Sequence, residues 1–231
     1  MKLNVPKEVV GAIKKLEESG FKAYLVGGCV RDLLFSAEGD LPVEPKDWDI
    51  ATSAKPEEIQ KIFPDSVYEN SFGTVGVKTR ADDSRLKILE ITTFRLEGKY
   101  TDKRHPDEIK FAQTIEEDLS RRDFTVNAMA LQKTGAENWE IIDPFDGQKD
   151  LKNKLIRAVG DPEARFNEDA LRLMRAVRFA VQLGSNSKDA KKSWQIEMET
   201  RRAIEENAKN LGMIAAERIR DELIKILMFL K

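Results

Sequence analysis

Two aspartates one residue apart, Asp47 and Asp49, are the side chains of this sequence best suited to chemistry. On a β-strand, side chains at positions i and i+2 point to the same face, so this spacing predicts two adjacent carboxylates. Adjacent carboxylates repel unless a cation lies between them, and hard cations such as Mg²⁺ prefer oxygen ligands. Upstream, Gly27 and Gly28 precede a predicted helix that carries Arg31, an arrangement suited to cradling phosphate. Together these residues predict metal-assisted chemistry on a nucleotide.

Each of these motifs, taken alone, has a simpler interpretation. An Asp-x-Asp pair is common on surface turns, a glycine pair is often only a turn, and Arg31 is equally well suited to an ion pair with Asp32. The functional interpretation depends on their order and closeness in the sequence. In it, Gly28 lets the backbone approach a triphosphate and Arg31 donates charge-assisted hydrogen bonds to that group.

Glu90 interrupts the apolar run at residues 88–91 and is a candidate third carboxylate. An acid within such a run is either exposed at a sheet edge or functional, and the two interpretations carry equal weight. Beside Asp47 and Asp49 it would complete a two-metal catalytic site. One metal would then activate a hydroxyl, and the other would hold the triphosphate and the leaving group.

Arg121, Arg122 and Asp123 stand directly before residues 124–128, a run that includes Asn127. Two arginines beside an acid usually form a solvated ion-pair patch, and for this motif alone that interpretation is favoured. The functional alternative is that the arginines clamp phosphates, with Asp123 and Asn127 near a ribose.

The third cluster lies on a predicted helix within residues 167–179. At about 100° per residue, apolar and basic side chains separate onto opposite arcs. The apolar arc comprises Leu173, Met174, Val177, Ala180 and Val181, and the basic arc comprises Arg172, Arg175 and Arg178. The same count makes Asp169 and Arg172 neighbours at i, i+3. The simpler interpretation is an amphipathic helix with a solvated basic face.

The pair Asp169 and Arg172 has a sharper functional interpretation. An Asp acceptor beside an Arg donor matches the Watson–Crick edge of cytosine, and it matches that of adenine equally. Uracil and guanine present the opposite pattern and would leave buried polar groups unpaired, which is heavily penalised. Such a pair would accept CTP and ATP and reject UTP and GTP.

The elements that must position these residues divide the chain into two parts. Apolar periodicity predicts helices at 7–19, 30–35 and 55–63, and strands at 22–26, 48–52, 74–79, 86–94 and 139–142. Residues 126–131 mix helix and strand signals, and residues 36–45 and 97–108 are predicted loops. Consecutive helices are predicted over 161–231. The predicted fold class is α+β: a mixed-sheet head, a boundary near 145–155, and then an all-helical region.

Composition excludes several classes of function. The formal net charge of −2 does not indicate a nucleic-acid binder, so any RNA contact would use local clusters of Lys and Arg. No apolar run is long enough to span a membrane, and we expect no membrane partner. Cys29, the single cysteine, is predicted to be a packed side chain, excludes an internal disulfide and is typical of the cytoplasm. With His105 the single histidine, a His-based catalytic pair and a Cys/His zinc site are excluded.

Taken together, these motifs resemble the tRNA nucleotidyltransferases (CCA-adding enzymes) of the bacterial and eukaryotic type, with their poly(A) polymerase relatives. The matching segments follow the family's order: Gly27-Gly28-Cys29-Val30-Arg31-Asp32, Asp47-Trp48-Asp49-Ile50-Ala51-Thr52, Arg121-Arg122-Asp123-Phe124-Thr125-Val126-Asn127-Ala128, Asp143-Pro144-Phe145-Asp146-Gly147 and residues 165–178. The resemblance implies a nucleotidyltransferase head over residues 1–148. A helical neck that recognises the base would follow over 149–231, with the body and tail domains of the family absent.

The resemblance also implies roles for the site residues. Asp47 and Asp49 would bind Mg²⁺, with two ions expected. Gly28, Arg31 and Arg122 would hold the triphosphate or the ribose. Asp169 and Arg172 would template the base, with Arg175 and Arg178 beside them. The 3′-hydroxyl of a tRNA would attack the α-phosphate of CTP or ATP, and pyrophosphate would leave.

Several alternatives stay open. Residues 70–76 resemble those of CCA-adding enzymes rather than poly(A) polymerases, and residues 95–106 resemble the loop that family members need for adding A. Full CCA addition or A-only addition is therefore favoured over CC-only addition. Other classes are a non-catalytic nucleotide- or RNA-binding module, which the intact Asp pair disfavours, and a nucleotidyltransferase for small molecules, which the base-reading pair disfavours. Because the family continues past the neck, we expect a truncated form or one that relies on another subunit or on self-association.

Overall fold

The strands of the first half of the chain meet in one mixed sheet. A computed structural model describes residues 1–37, 44–68, 73–97, 109–135, 138–185 and 193–230. The strands are β1 (Ala23–Val26), β2 (Asp49–Thr52), β3 (Ser66–Tyr68), β4 (Thr74–Lys78), β5 (Ile88–Thr93), β6 (Arg95–Glu97), β7 (Ile109–Phe111), β8 (Ala130–Lys133), β9 (Trp139–Ile142), β10 (Leu155–Ile156) and β11 (Gln195–Ile196). The helices are α1 (Lys7–Glu18), α2 (Gly28–Ala37), α3 (Pro56–Ile62), α4 (Ile115–Ser120), α5 (Gly147–Asn153), α6 (Pro162–Glu168), α7 (Leu171–Ser185), α8 (Met198–Asn207) and α9 (Ala216–Phe229).

Seven strands form the main sheet in the order β3-β4-β5-β2-β1-β8-β9. Strands β2 and β5 are parallel, and the other neighbours are antiparallel. All residues of β1 are buried, as expected for an apolar strand between two neighbours. The register places Val26 opposite Asp49, and Asp49 opposite Glu90. The end of β1 and the start of β2 therefore bring the glycine turn and Asp49 together where these two strands meet the cavity end of the sheet.

The main apolar core joins the sheet to the helices that follow it. Leu25 and Ile50 from the sheet belong to the same buried cluster as Phe166, Leu173 and Trp194. The core therefore runs across the predicted boundary between head and neck. The division at residues 148 and 149 stays a prediction.

Most of the predicted elements are confirmed, while short elements were missed. The missed elements are β3, the antiparallel pair β6–β7, α4, α5 and the two-residue strand β10. Helix α4 begins at a capping box in which Thr114 and Glu117 bond to each other's backbone N–H groups. The ambiguous stretch at 126–131 divides into a 3₁₀ turn, Thr125–Asn127, and the strand β8.

Some sequence predictions lie outside the described residues. These are the predicted loop at 98–108 with His105, residues 38–43 of the loop predicted at 36–45, and residues 70–72 of the family-like segment. Residues 36 and 37 were predicted to belong to the first loop, but they are the last residues of α2.

The helical prediction beyond residue 161 is confirmed for α6, α7, α8 and α9, with one addition. Strand β11 pairs in parallel with β10, and a strand of two residues is too short to show a periodic pattern. Helix α9 ends with exposed apolar side chains at Leu227, Met228 and Leu230. Self-association through them stays a prediction. No helix in the described ranges is long and apolar enough to cross a membrane.

Candidate active site

A cavity of about 850 Å³ lies between the edge of the sheet where β1 ends and the helices α7 and α9. This volume is typical of ligand-binding sites. With one exception, Glu90, every predicted site residue lines it: Gly28, Arg31, Asp47, Asp49, Arg122, Asp123, Asn127, Asp169, Arg172, Arg175 and Arg178.

The turn at Gly27 lines the cavity. Gly27 has a φ of 77°, and a Cβ atom there would lie 3.0 Å from Arg122 Nη1 and 3.3 Å from Asp49 Oδ2. A side chain would therefore be strained by the backbone and would displace both charged groups. Helix α2 begins at the next residue, Gly28, so its free N–H groups lie beside Arg122. This corner is suited to an anion.

Asp47 and Asp49 both line the cavity, although only Asp49 belongs to β2. Asp47 lies in a bend before the strand, so strand alternation does not position this pair. Burial raises the pKa of Asp49, the Arg122 guanidinium opposes that rise, and the Asp47 carboxylate adds to it. Among the described residues, neither carboxylate forms an ion pair. Two repelling carboxylates open to a cavity have the donor chemistry of a divalent-cation site.

Glu90 lies beside Asp49 within the sheet but does not extend the wall of the cavity that the structure describes. The two residues are in register on neighbouring parallel strands and so share one face of the sheet. The Glu90 side chain is exposed there, and β5 is an inner strand, so the sheet-edge interpretation does not hold. Over the described ranges, no three Asp, Glu, His or Cys side chains form a group that could hold a metal. The role of Glu90 as a third carboxylate stays a prediction.

Arg31 joins the start of α2 to the turn that follows α4. Its Nε and Nη2 atoms lie 2.8 and 2.7 Å from Asp32 Oδ1, and its Nη1 donates to Asn127 Oδ1 at 2.7 Å. The predicted ion pair with Asp32 is thus present, and Arg31 still lines the cavity. Cys29, beside it, is buried with its pKa raised to about 12, chiefly by burial, as expected for a packed thiol.

Asp118, which the sequence analysis did not single out, holds Arg121 and Arg122. Its Oδ1 accepts hydrogen bonds from Arg121 Nε and Nη2 at 3.0 and 2.9 Å, and its Oδ2 accepts one from Arg122 Nη2 at 3.2 Å. Asp118 is only 1% exposed. Burial alone would raise its pKa, but the two guanidinium groups outweigh burial and lower it. The two arginines are therefore fixed around a buried acid rather than forming a solvated patch.

Asp123 pairs with Arg175 across the boundary between the sheet and α7. Its Oδ2 accepts hydrogen bonds from Arg175 Nε and Nη2 at 2.8 and 2.5 Å, and its Oδ1 accepts one from Asn127 Nδ2 at 3.3 Å. Burial works against the charged form, but the Arg175 guanidinium prevails and lowers the pKa of Asp123 to about 2. Both carboxylate oxygens of Asp123 are thus bonded within the protein.

The predicted pairing of Asp169 with Arg172 is replaced by two other pairs. Asp169 has extended backbone and lies before α7, so helix spacing does not apply to it. Its Oδ2 accepts a hydrogen bond from Arg218 Nη2 at 2.9 Å, and its Oδ1 accepts one from the Leu171 N–H at 3.0 Å. Arg172 is buried and donates through Nη1 to Glu168 Oε2 at 2.5 Å. Both members of the predicted pair nevertheless line the cavity.

The face of α7 that carries arginines is directed into the cavity rather than into solvent. Arg178 Nε lies 2.8 Å from Glu222 Oε2, and Glu222 is only 4% exposed. The predicted apolar arc is partly wrong, because Val177 is 39% exposed. The buried positions of α7 are Leu171, Arg172, Leu173, Ala176, Phe179 and Leu183. A cavity rich in arginine takes the place of the solvent that an isolated amphipathic helix would face.

The Phe179 ring lies among three guanidinium groups. Their Cζ atoms lie 5.5, 5.2 and 4.4 Å from the ring centroid for Arg31, Arg175 and Arg178. Phe124 packs against the same ring edge-on, with 5.8 Å between the centroids. Cation–π attraction at such distances stabilises closely spaced like charges.

Sequence reasoning missed Asp118, Phe179, Arg218 and Glu222. Arg218 and Glu222 are four residues apart on α9, which places both on one face of the helix. That spacing was the available signal, but their partners Asp169 and Arg178 are distant in sequence. Periodicity within one element cannot reveal such pairs.

The mixed sheet followed by helices confirms the predicted α+β fold with a nucleotidyltransferase-type sheet. Residues 23–157 match the family described as poly A polymerase head domain. Residues 194–229 match a second family, described as the probable RNA and SrmB-binding site of polymerase A. The first match spans more than half of the chain, so this protein belongs to the poly A polymerase head domain family.

Curated relatives with high similarity are CCA-adding enzymes. The chain is 48% identical over 220 residues to the one from Lactobacillus delbrueckii subsp. bulgaricus, with 95% of this chain and 50% of the relative covered. It is 47% identical over 229 residues to the one from Ligilactobacillus salivarius, covering 97% of this chain and 51% of the relative. The chain thus spans about half the length of these relatives.

Solved structures give the same result for the fold. The Bacillus stearothermophilus CCA-adding enzyme in complex with CTP matches 96% of this chain and 48% of its own, at 41% identity and a TM-score of 0.78. The Thermotoga maritima CCA-adding enzyme complexed with tRNA matches 96% of this chain and 48% of its own, at 27% identity and a TM-score of 0.72.

Proposed function

We propose that this protein carries the catalytic site of a tRNA nucleotidyltransferase, which adds C, A or both to the 3′ end of tRNA. The substrates are CTP and ATP, and pyrophosphate is released. The observation that carries the proposal is one cavity in which the Asp47–Asp49 pair, without an ionic partner among the described residues, faces a wall of arginines that also holds Asp169. Membership of the poly A polymerase head domain family and the names of the relatives support it.

The residues at the glycine turn are suited to the triphosphate. Arg122 Nη1 lies next to Gly27, at the N-terminus of α2, and Arg31 lines the same cavity. Guanidinium groups and helix N–H groups stabilise the negative charge that grows on pyrophosphate as it leaves. Because Asp118 fixes Arg122 before a nucleotide arrives, little reorganisation is needed during the reaction.

The metal-binding role falls to Asp47 and Asp49, whose oxygen donors and mutual repulsion fit a hard divalent cation. We propose two Mg²⁺ ions, which when bound activate the attacking 3′-hydroxyl and neutralise charge on the triphosphate. Asp49, held in register by β2, fixes the position of one ligand, and burial disfavours its charge until a cation binds.

Base selection falls to Asp169 with Arg172. The carboxylate of Asp169 is an acceptor and matches the amino groups of cytosine and adenine, while a guanidinium donor matches their ring nitrogens. Both side chains line the cavity, and each is already held by a second protein group. A base that presents a carbonyl oxygen to Asp169 would meet repulsion instead of a hydrogen bond.

Nucleotide addition to a tRNA that ends before CCA tests the proposal. The tRNA is incubated with Mg²⁺ and each of CTP, ATP, UTP and GTP, and products are resolved at single-nucleotide length, beside an Asp47→Ala control. Stepwise addition of C, C and A that is lost in the control supports full CCA addition. Addition of A alone to a CC-ended tRNA marks an A-adding enzyme, and a long A tail marks a poly(A) polymerase.

The same assay can contradict the proposal. No addition to any tRNA, together with intact binding of CTP and ATP, would identify the chain as a non-catalytic nucleotide-binding module.

We place the reaction in the cytoplasm, since the single cysteine is a buried thiol and tRNA is the proposed substrate.

A further inference from the structure

We propose that Arg218, on α9, is a positioning residue that keeps the base-reading carboxylate of Asp169 away from Arg172 and directed toward the nucleotide. This inference rests on the proposed function and adds a determinant of nucleotide specificity to it. The juxtaposition that carries it is the two-point contact of Arg218 with Asp169 at the wall of the cavity.

Asp169 is held at both of its carboxylate oxygens. Arg218 Nη2 donates to Oδ2 at 2.9 Å and Nη1 donates to Oδ1 at 3.4 Å, while the Leu171 N–H donates to Oδ1 at 3.0 Å. A carboxylate with both oxygens fixed presents its remaining lone pairs in one direction. That is the requirement for reading an amino group on a base.

Without Arg218, the nearest sequence partner for Asp169 is Arg172, three residues away. An ion pair between those two residues would use the acceptor and the donor that the base edge needs. In the structure each forms an ion pair with a different residue: Asp169 with Arg218, and Arg172 with Glu168. We infer that these two ion pairs prevent Asp169 and Arg172 from pairing with each other.

Helix α9 supplies a second ion-pair partner four residues after Arg218. Glu222 lies on the same face of α9 as Arg218 and pairs with Arg178 of α7 at 2.8 Å. One face of α9 thus contributes a cation for Asp169 and an anion for Arg178. A helix that merely packed on α7 would not need a Glu that is 4% exposed.

The test is equilibrium binding of CTP, ATP, UTP and GTP to the full chain and to its Arg218→Gln variant, without tRNA. Arg220→Gln is the matched control, because Arg220 is on the same helix, is 63% exposed and pairs with Asp221. We expect Arg218→Gln to lower the preference for CTP over UTP and for ATP over GTP by about tenfold, since a hydrogen bond to a charged group is lost. Binding of inorganic triphosphate, used as a base-free probe, should not change.

Two further variants separate positioning from simple destabilisation. Arg218→Lys keeps the charge with single-point donors and should recover part of the preference. Asp169→Asn should lose the preference, and adding Arg218→Gln to it should cost little more, because Arg218 acts only through the carboxylate that Asp169→Asn has already removed.

An unchanged preference in Arg218→Gln would overturn the inference. An equal loss of affinity for all four nucleotides and for inorganic triphosphate would also overturn it, since that result indicates a structural role. If the unaltered chain itself shows no preference for CTP and ATP, the proposed base reading fails at the outset. That outcome is distinct from failure at Arg218.

Discussion

The two walls of the cavity handle charge in opposite ways. On the sheet wall, Asp47 and Asp49 lie close enough to repel, and the described residues give neither an ion pair. On the helical wall, Asp169, Arg175 and Arg178 each have an oppositely charged partner, at 2.9, 2.5 and 2.8 Å. The comparison separates the charges that the protein pairs with one another from the carboxylate pair that we propose for a ligand.

This difference has an energetic meaning. Carboxylates held together without a cation destabilise the folded state, and a bound cation would relieve that cost. Paired charges stabilise one geometry and hold donors in place before a substrate arrives. Substitutions on the two walls should therefore change stability with opposite signs.

The largest expected effect comes from neutralising the sheet wall. Asp49→Asn should lower nucleotide addition by about a thousandfold or more, because charge stabilisation at the reacting phosphate is lost. Without Mg²⁺, the free energy of unfolding should stay the same or rise, since a repelling buried charge is removed. Urea unfolding with and without Mg²⁺ measures this. A clear loss of stability in the metal-free variant would show that Asp49 is structurally paired.

Breaking an ion pair of the helical wall should have the reverse effect on stability. Asp123→Asn leaves Arg175 without its ionic partner and should reduce the free energy of unfolding by about 2–3 kcal/mol. The value is below that for a fully buried pair because a third of the Arg175 side chain is exposed. Chemical denaturation gives the value directly. Equal stability of variant and unaltered chain would remove the distinction between the walls.

The Asp123 carboxylate also predicts that the stability of the fold depends on pH. Its pKa of about 2 in the folded chain lies below its ordinary value of 3.8, so folding favours the ionised form. The stabilisation is therefore complete above about pH 4 and is lost as the pH falls toward 2, a change of about 2 kcal/mol. Denaturation at several pH values should show this loss in the unaltered chain. In Asp123→Asn it should be smaller by about that amount; identical profiles would contradict the assignment.

A smaller effect is expected at Asp118, which accepts hydrogen bonds from Arg121 and Arg122. Asp118→Asn should raise the KM for nucleotides by about tenfold and change kcat less, because Arg121 and Arg122 lose their fixed position. Glu116→Gln, at an exposed position on the same helix, is the matched control. Steady-state kinetics on one tRNA substrate separates the two parameters. An effect on kcat alone would argue against a binding role for these arginines.

The sheet wall was largely predictable from the sequence, and the helical wall was not. The glycine turn, β1, β2 and the position of Asp49 follow from local signals: an apolar run, a glycine pair and strand propensity. Asp47 also lines the cavity, although a bend rather than the strand positions it. Residues that are close in sequence also lie close in space when an element follows directly on a turn, and such sites can be predicted from local patterns.

On the helical wall, the residue types were predicted but their partners were not. Asp169 was expected on the helix beside Arg172, yet α7 begins at Leu171 and Arg218 becomes the partner of Asp169. Arg178 was expected at a solvated or nucleotide-binding face, and Glu222 from a distant helix pairs with it. Such pairings depend on how helices cross, and a helical periodicity contains no information about the neighbouring helix.

Phe179 attracts three positive charges of the cavity wall at once. An aromatic face attracts a guanidinium without occupying its in-plane N–H groups, so it can stabilise an arginine that is already paired with a carboxylate. The ring lies within 5.5 Å of the guanidinium carbons of Arg31, Arg175 and Arg178, so it stabilises all three together. This attraction adds to the ion pairs that the three arginines already form with Asp32, Asp123 and Glu222, so three like charges remain close together at the wall of the cavity.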